Sequence, residues 1–194
     1  MSPVNSELVV MYTAGMDRDD RRLFFKFLNS HHHDAGVPDW FASRELFERW
    51  LTAERVAESG LIGVSSADVE LARTTRDALN ALIDEDSPRN AAHLDTIASQ
   101  LPLHVRFEAD RSHLEPAATG IRGLTGRVLG IAHDAMRGGT WSRLSHCHND
   151  ECQWAFLDQS KNHSRRWCDM KSCGTKAKSR AYRARQRELR ERAR

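Results

Sequence analysis

The sequence predicts a mainly α protein: a helical N-terminal domain with a small β-hairpin over residues 1–140, then a small cysteine-bearing, ribbon-like module and a basic C-terminal helix over residues 141–194. Three observations predict it. Apolar residues recur at helical spacing through most of the first 140 positions. All four cysteines lie beyond that point. The charge also turns over there: residues 1–140 hold 15 Lys/Arg against 21 Asp/Glu, and residues 141–194 hold 14 against 6. Charge and cysteine content changing together read as an acidic helical body carrying a basic module. With 40% hydrophobic and 29% charged residues, the 194-residue chain has the apolar material for a packed core.

The elements follow in order. From Asp17, the run DRDDRRLFFKFLN puts Leu23, Phe24, Phe27 and Leu28 on one face, with Asp17, Asp19 and Asp20 at its dipole-favoured N-terminal end. A second helix is expected from Ser43 to Gly60, with Leu46, Phe47, Trp50 and Leu51 as its stripe. Ser65 or Ser66 caps a third, through Val69, Leu71, Leu79, Leu82 and Ile83. Ser87-Pro88 opens a fourth, expected to end near Leu101-Pro102, because proline at the first helical position gives up an N–H that has no intrahelical partner. Leu103, Val105 and Phe107 then alternate with polar residues, which predicts a half-buried strand in a hairpin. A long helix is expected over Glu115–Met136, burying Ile121, Leu124, Val128, Leu129, Ala132 and Met136 and ending at Gly138-Gly139.

Chemistry in this body is thin. His31-His32-His33 reads as a solvated helix end, since adjacent residues rarely converge on one ion, and His133 as a partly buried, satisfied histidine. No nucleophile elbow, zinc-protease helix, P-loop or dinucleotide fingerprint occurs, so the expectation is a protein that is not an enzyme. No apolar run approaches the length of a membrane span, and no basic segment precedes the short apolar stretch near the N-terminus. A reducing cytoplasm is the expected compartment, where cysteines serve metals or redox chemistry more than disulfides.

Cys147, Cys152, Cys168 and Cys173 form the pattern C-x4-C-x15-C-x4-C. Two close pairs separated by a loop suit one tetrahedral ion gripped by two turns. An iron–sulfur cluster also takes four cysteines, and two disulfides suit an exported chain. One structural Zn2+ is the reading we adopt, in a zinc-ribbon-like module. Four thiolates fill the coordination sphere, so His146, His148 and His163 are not needed as ligands and no open position is left for catalysis. A module of about 45 residues buries little core, so the metal would supply most of its folding free energy, on the order of 10–16 kcal/mol. Trp154, Phe156 and Trp167 are expected to pack around the ion, with Arg165, Arg166 and Lys171 partly offsetting the thiolate charge.

Beyond Gly174 the chain reads TKAKSRAYRARQRELRERAR, rich in helix formers and free of proline. On a helix, Lys176, Arg180, Arg183, Arg187, Arg190 and Arg194 share one narrow stripe, and Lys178, Arg185 and Arg192 the opposite side. Only Tyr182 and Leu189 are apolar, too few for a membrane-surface helix. Arginine suits phosphate and guanine, so the expected partner is nucleic acid, DNA before RNA, contacted by Arg165, Arg166, Lys176, Lys178, Arg180, Arg183, Arg185, Arg187 and Arg190. The alternatives are an RNA-binding module and a structural or protein-interaction finger.

The segment Cys147-x4-Cys152…Phe156-Leu157-Asp158-x-Ser160-x-Asn162…Arg165-Arg166-Trp167-Cys168-x-Met170…Cys173-Gly174…Lys178…Tyr182-Arg183-x-Arg185 resembles the CGNR-type zinc finger of bacterial proteins. The body, with its Phe27-x-Asn29 element, is similar to the ABATE domain that accompanies this finger. The resemblance implies a bacterial stress-induced transcription regulator, in the cytoplasm at the nucleoid, whose finger contacts DNA and whose body senses a small-molecule effector or forms a homodimer. One departure stands out: the family's Gly-Asn-Arg is here Gly174-Thr175-Lys176, which keeps a charge but loses the arginine fork and an amide.

Overall fold

The structure, a computed structural model, describes residues 16–31, 38–56 and 63–192. Helix α1 (Arg18–Leu28) starts where the Asp17 side chain accepts the Asp20 N–H at 2.8 Å, and it buries Leu23, Phe24, Phe27 and Leu28. Helix α2 (Arg44–Ala53) is capped by Ser43 and buries Phe47, Trp50 and Leu51. It ends at Ala53, short of the expected Gly60, because Arg55 takes a left-handed φ of 51° that no helix continues through; Gly60 itself lies outside the described residues. Leu46 is only half buried. Helix α3 (Ser66–Asp84) is capped by Ser65, and α4 (Pro88–Ala98) by Ser87 with proline in its first turn.

Strands β1 (Leu103–Phe107) and β2 (Ser112–Pro116) make the expected hairpin, pairing Leu103 with Pro116 and Phe107 with Ser112. Its alternation does not bury the face as expected: Val105 is 55% exposed and Phe107 82%. The hairpin sits on α5 (Gly120–Arg137) through β2, where a Cβ on Gly126 would stand 3.3 Å from that of Pro116 and one on Gly130 3.7 Å from that of Leu114, while Val105 and Phe107 of β1 stay largely exposed. Glu115, the expected first residue of that helix, belongs to β2, since the hairpin claims the chain as far as Pro116. Met136 and His133 face solvent rather than the core, and His133 pairs with Asp134 at 3.1 Å.

One apolar cluster unites the body. Phe27, Phe41, Phe47 and Trp50 meet with ring centroids 4.7 to 6.4 Å apart, mostly edge to face, the arrangement aromatic quadrupoles favour. Arg76 on α3 is 2% exposed and is satisfied by Asp39, at 2.5 and 2.9 Å, by Ser30 and by Asp77.

After a 3-10 turn, strands β3 (Leu144–His146) and β4 (Ala155–Leu157) pair antiparallel and lie against α3 and α1. Leu144 and Ala155 join the same apolar cluster as the helices. The Asn29 side chain stands where the peptide of a third strand would. Its amide donates to Ala155 O at 3.0 Å, and its oxygen accepts Ala155 N–H at 2.7 Å. His146 is held beside Asp84 at 2.6 Å and Asn80 at 3.1 Å. A π-helical turn (Met170–Gly174) then leads into α6 (Thr175–Arg192).

Candidate metal centre and basic helix

The two cysteine pairs come from two turns. Between β3 and β4 the chain reverses over Asn149, which accepts the N–H groups of Cys152 at 2.7 Å and Gln153 at 3.1 Å, while Cys147 N–H donates to Trp154 O at 2.9 Å. The second pair spans the π turn, whose start Asp169 caps by accepting the N–H groups of Lys171 and Ser172. The fifteen residues between the pairs are shaped by Asp158, 5% exposed, which accepts Ser160 N–H at 2.7 Å and Arg165 N–H at 3.0 Å. Gly174 packs closely: a Cβ there would lie 2.8 Å from Met170 Sδ, which can move aside, and 3.2 Å from Trp167 Cδ1.

All four sulfurs lie within 4.8 Å of one another, with Cys152 and Cys168 at 3.5 Å and Cys168 and Cys173 at 3.8 Å. No cysteine is in a disulfide, and these separations far exceed the roughly 2.05 Å of an S–S bond. They match the edge of a tetrahedron with Zn–S bonds of about 2.3 Å, which is about 3.8 Å. Four soft donors at that spacing fit one zinc ion. Burial pushes the Cys152 thiol up to about 11, and the Trp154 backbone N–H beside its sulfur counteracts this in part. Burial also raises Cys168, together with the neighbouring Cys152 sulfur. Burial would raise Cys173 too, but the Asn149 amide donating to its sulfur at 3.5 Å helps hold it below the ordinary value. The site therefore stabilises thiolate at the start of α6, where the helix dipole acts in the same sense.

Asn149 is the residue that sequence reasoning missed. Only 3% exposed, it donates to Cys173 Sγ and accepts from Arg180 Nη1 at 2.9 Å, linking the metal ligands to the basic helix. No spacing rule marks it; an asparagine two residues after a ligand is also an ordinary turn residue.

The expected basic contacts divide into two groups. Arg165 turns inward: its guanidinium donates to the carbonyls of Trp167 and Cys168 and lies 5.1 Å from the Phe156 ring centroid. Arg166 stacks on Trp167 at 5.7 Å and approaches His148. Arg180 pairs with Glu151, and Lys176 reaches the same carboxylate at 3.9 Å. Lys178, Arg183, Arg185, Arg187 and Arg190 are exposed and have no ion-pair partner among the described residues. Of the aromatics expected around the ion, Phe156 is buried and Trp167 half buried against His148. Trp154 instead lines a cleft with α1, because the tight turn at Gln153, with φ 50°, turns it toward the body. His31 lies 3.6 Å from Asp39 at the rim of another cleft, and His32 and His33 fall outside the described residues. Among the described residues the four cysteines are the metal-ligating cluster.

Two family models match the chain. The CGNR zinc finger covers residues 143–186. ABATE, described as "Putative stress-induced transcription regulator", covers residues 21–138, more than half of the sequence. The chain belongs to the ABATE family. No curated protein matches it. The resemblance seen in the cysteine segment and in Phe27-x-Asn29 is thus met at both ends, and Asn29 is one of the residues that join the ABATE helices to the finger. At the departure from Gly-Asn-Arg, Thr175 Oγ1 donates to Met170 O at 3.2 Å and so ties the π turn to α6. No helix among the described residues is long and apolar enough to cross a membrane.

Proposed function

We propose that the protein is a zinc-dependent DNA-binding transcription regulator whose finger folds around one ion and whose helix α6 contacts the duplex. The observation that carries this reading is the charge of α6. The helix buries no residue, leaves Lys178, Arg183, Arg185, Arg187 and Arg190 unpaired among the described residues, and is launched from the metal turn. A helix of 18 residues spans about 27 Å, close to one turn of DNA. Its two basic rows suit the two phosphate walls of a major groove. Arg165 and Arg180 act on this reading as internal braces, because their guanidinium groups are occupied by the finger itself.

The test is a titration of the zinc-loaded protein onto duplex DNA and RNA across a salt series. Six neutralised phosphates give a log–log slope of about −5. Arg187→Ala should reduce its magnitude by about one. Cys168→Ser should lose zinc and DNA affinity together. Preference for RNA would move the function to transcript binding, and no affinity for either polymer would leave the finger as a protein-interaction module.

A further inference from the structure

Beside α1, at the edge of the core, a cleft of about 510 Å3 opens between the body and the finger. Its walls combine two chemistries. Trp40, Trp50 and Trp154 supply aromatic surface, with Trp50 as the floor at 2% exposure. Arg18, Arg21 and Arg22 supply positive charge, and none of them has an ion-pair partner among the described residues. The fourth cation, Lys26, is already held by Glu54 at 2.8 Å. The body as a whole is acidic, so three unpaired arginines around aromatic walls are not average surface.

Arg21 makes the point sharper. Its Nε is buried without any hydrogen-bond partner, and it is the side-chain atom so left among the described residues. Buried donors are almost always paired, so an orphan of this kind marks a place where an acceptor belongs. Nε itself is closed to solvent, so a planar carboxylate in the cleft would meet Arg21 at its Nη edge and reach Nε only with a small shift of the guanidinium. The volume falls within the range of small-molecule sites, which bury an apolar body and fix it with a few polar groups. A duplex is the poorer match, since its phosphates lie on a convex surface and this arginine edge lies within a cleft.

We propose that this cleft binds a small flat aromatic anion, its ring between Trp40 and Trp154 and its carboxylate or phosphate on Arg21, with Arg18 and Arg22 at the mouth. The site joins both parts of the chain. Trp154 belongs to the finger, and its backbone contacts two metal ligands, its carbonyl accepting Cys147 N–H at 2.9 Å and its N–H lying against the Cys152 sulfur. Asn29, also at the cleft, holds the next residue, Ala155. A ligand seated here therefore touches the turn that grips the metal. The proposal does not rest on DNA binding and is measured without it.

The experiment is calorimetric titration of the full-length, zinc-loaded protein with 2-naphthoate and with its neutral amide, 2-naphthamide. The naphthoate should bind saturably, one per chain, and the amide at least tenfold more weakly. Arg21→Gln should weaken naphthoate binding at least tenfold and Trp154→Ala at least fivefold, with zinc content unchanged; Arg187→Ala on α6 should leave it unaltered. Indole N–H signals read the wild-type protein directly: naphthoate should shift those of Trp40, Trp50 and Trp154 and leave Trp141 and Trp167 in place. Absence of saturable binding, equal binding of the amide, or shifts confined to Trp141 and Trp167 would each overturn the proposal.

Discussion

The bond between Asn29 and Ala155 makes the finger and the body one folding unit, and its removal has a size that can be worked out. Ala155 is 3% exposed, and its N–H and C=O point away from β3 toward the Asn29 side chain, at 2.7 and 3.0 Å. Asn29→Ala strips both partners at once and leaves a donor and an acceptor where water enters poorly. Each such group costs about 1–3 kcal/mol, so the pair should cost about 3 kcal/mol. For a chain of this length each kcal/mol lowers Tm by about 2–4 °C, which predicts a fall of about 8 °C. Scanning calorimetry with excess zinc is the assay, since the metal must be held constant for the two proteins to be compared. Asn29→Asp keeps an acceptor for Ala155 N–H but sets a carboxylate oxygen against Ala155 O, so it should lose nearly as much. A Tm within 2 °C of the parent for Asn29→Ala would refute the reasoning and mean that the apolar contacts and the His146 bonds to Asp84 and Asn80 seat the finger.

Two further outcomes are expected. Asp39 would be raised by burial, but the Arg76 guanidinium and the Phe41 N–H hold it below its ordinary value of 3.8; its stabilisation is therefore complete above about pH 4 and is lost as pH falls toward the folded value. Asp39→Asn should cost about 3 kcal/mol at pH 7, the low end for a broken buried pair because Asp77 still holds Arg76, and should flatten the acid limb of a stability-against-pH curve measured in urea. At Gly123 an added Cβ would meet the Ala118 carbonyl oxygen at 2.5 Å, a backbone atom that cannot step aside, whereas at Gly130 the nearest atom is Leu114 Cβ at 3.7 Å. Both lie in α5, so both gain about 1 kcal/mol of helix propensity as alanine. Gly130→Ala should raise Tm by a few degrees and Gly123→Ala should lower it, and thermal unfolding by circular dichroism reads the two signs.

The helices were legible because their signals are local. Ser43, Ser65 and Ser87 cap helices at the expected starts, Asp17, expected only as first-turn charge, caps α1, and the apolar stripe of α1 faces the core. The cysteine cluster was legible for the same reason, since ligand spacing is a property of two short turns. What was hidden depends on partners far along the chain. Nothing local distinguishes the alternation of Val105 and Phe107 from a buried strand; β1 is exposed because α5 lies against β2, at Pro116 and Leu114. Arg76 left a trace, a charged residue on the apolar face between Ala72 and Leu79, but its partner Asp39 is 37 positions away. Asn149 and the inward turn of Arg165 left none, because a turn asparagine and a basic residue look alike whether they face solvent or a sulfur.

Those two residues bear on how a finger of this size controls a helix. Helix α6 buries no residue and meets the rest of the finger at the π turn and, through Arg180 and Lys176, at the β3–β4 turn, so no core fixes its direction. Four thiolates on one zinc leave a net charge of −2, and a chain of polar contacts leads away from them: Asn149 donates to Cys173, Arg180 donates to Asn149, and the Glu151 carboxylate pairs with Arg180 and Lys176. The first basic turn of α6 is thereby tied to the metal loop, while the turns bearing Arg183, Arg187 and Arg190 continue the same row outward. When the metal is lost and the thiolates take up protons, the charge that this chain of contacts is organised around disappears, and the helix should lose its bearing while keeping its cations. The part of the row nearest the cysteines is held by the finger, and the part beyond it has no ion-pair partner among the described residues.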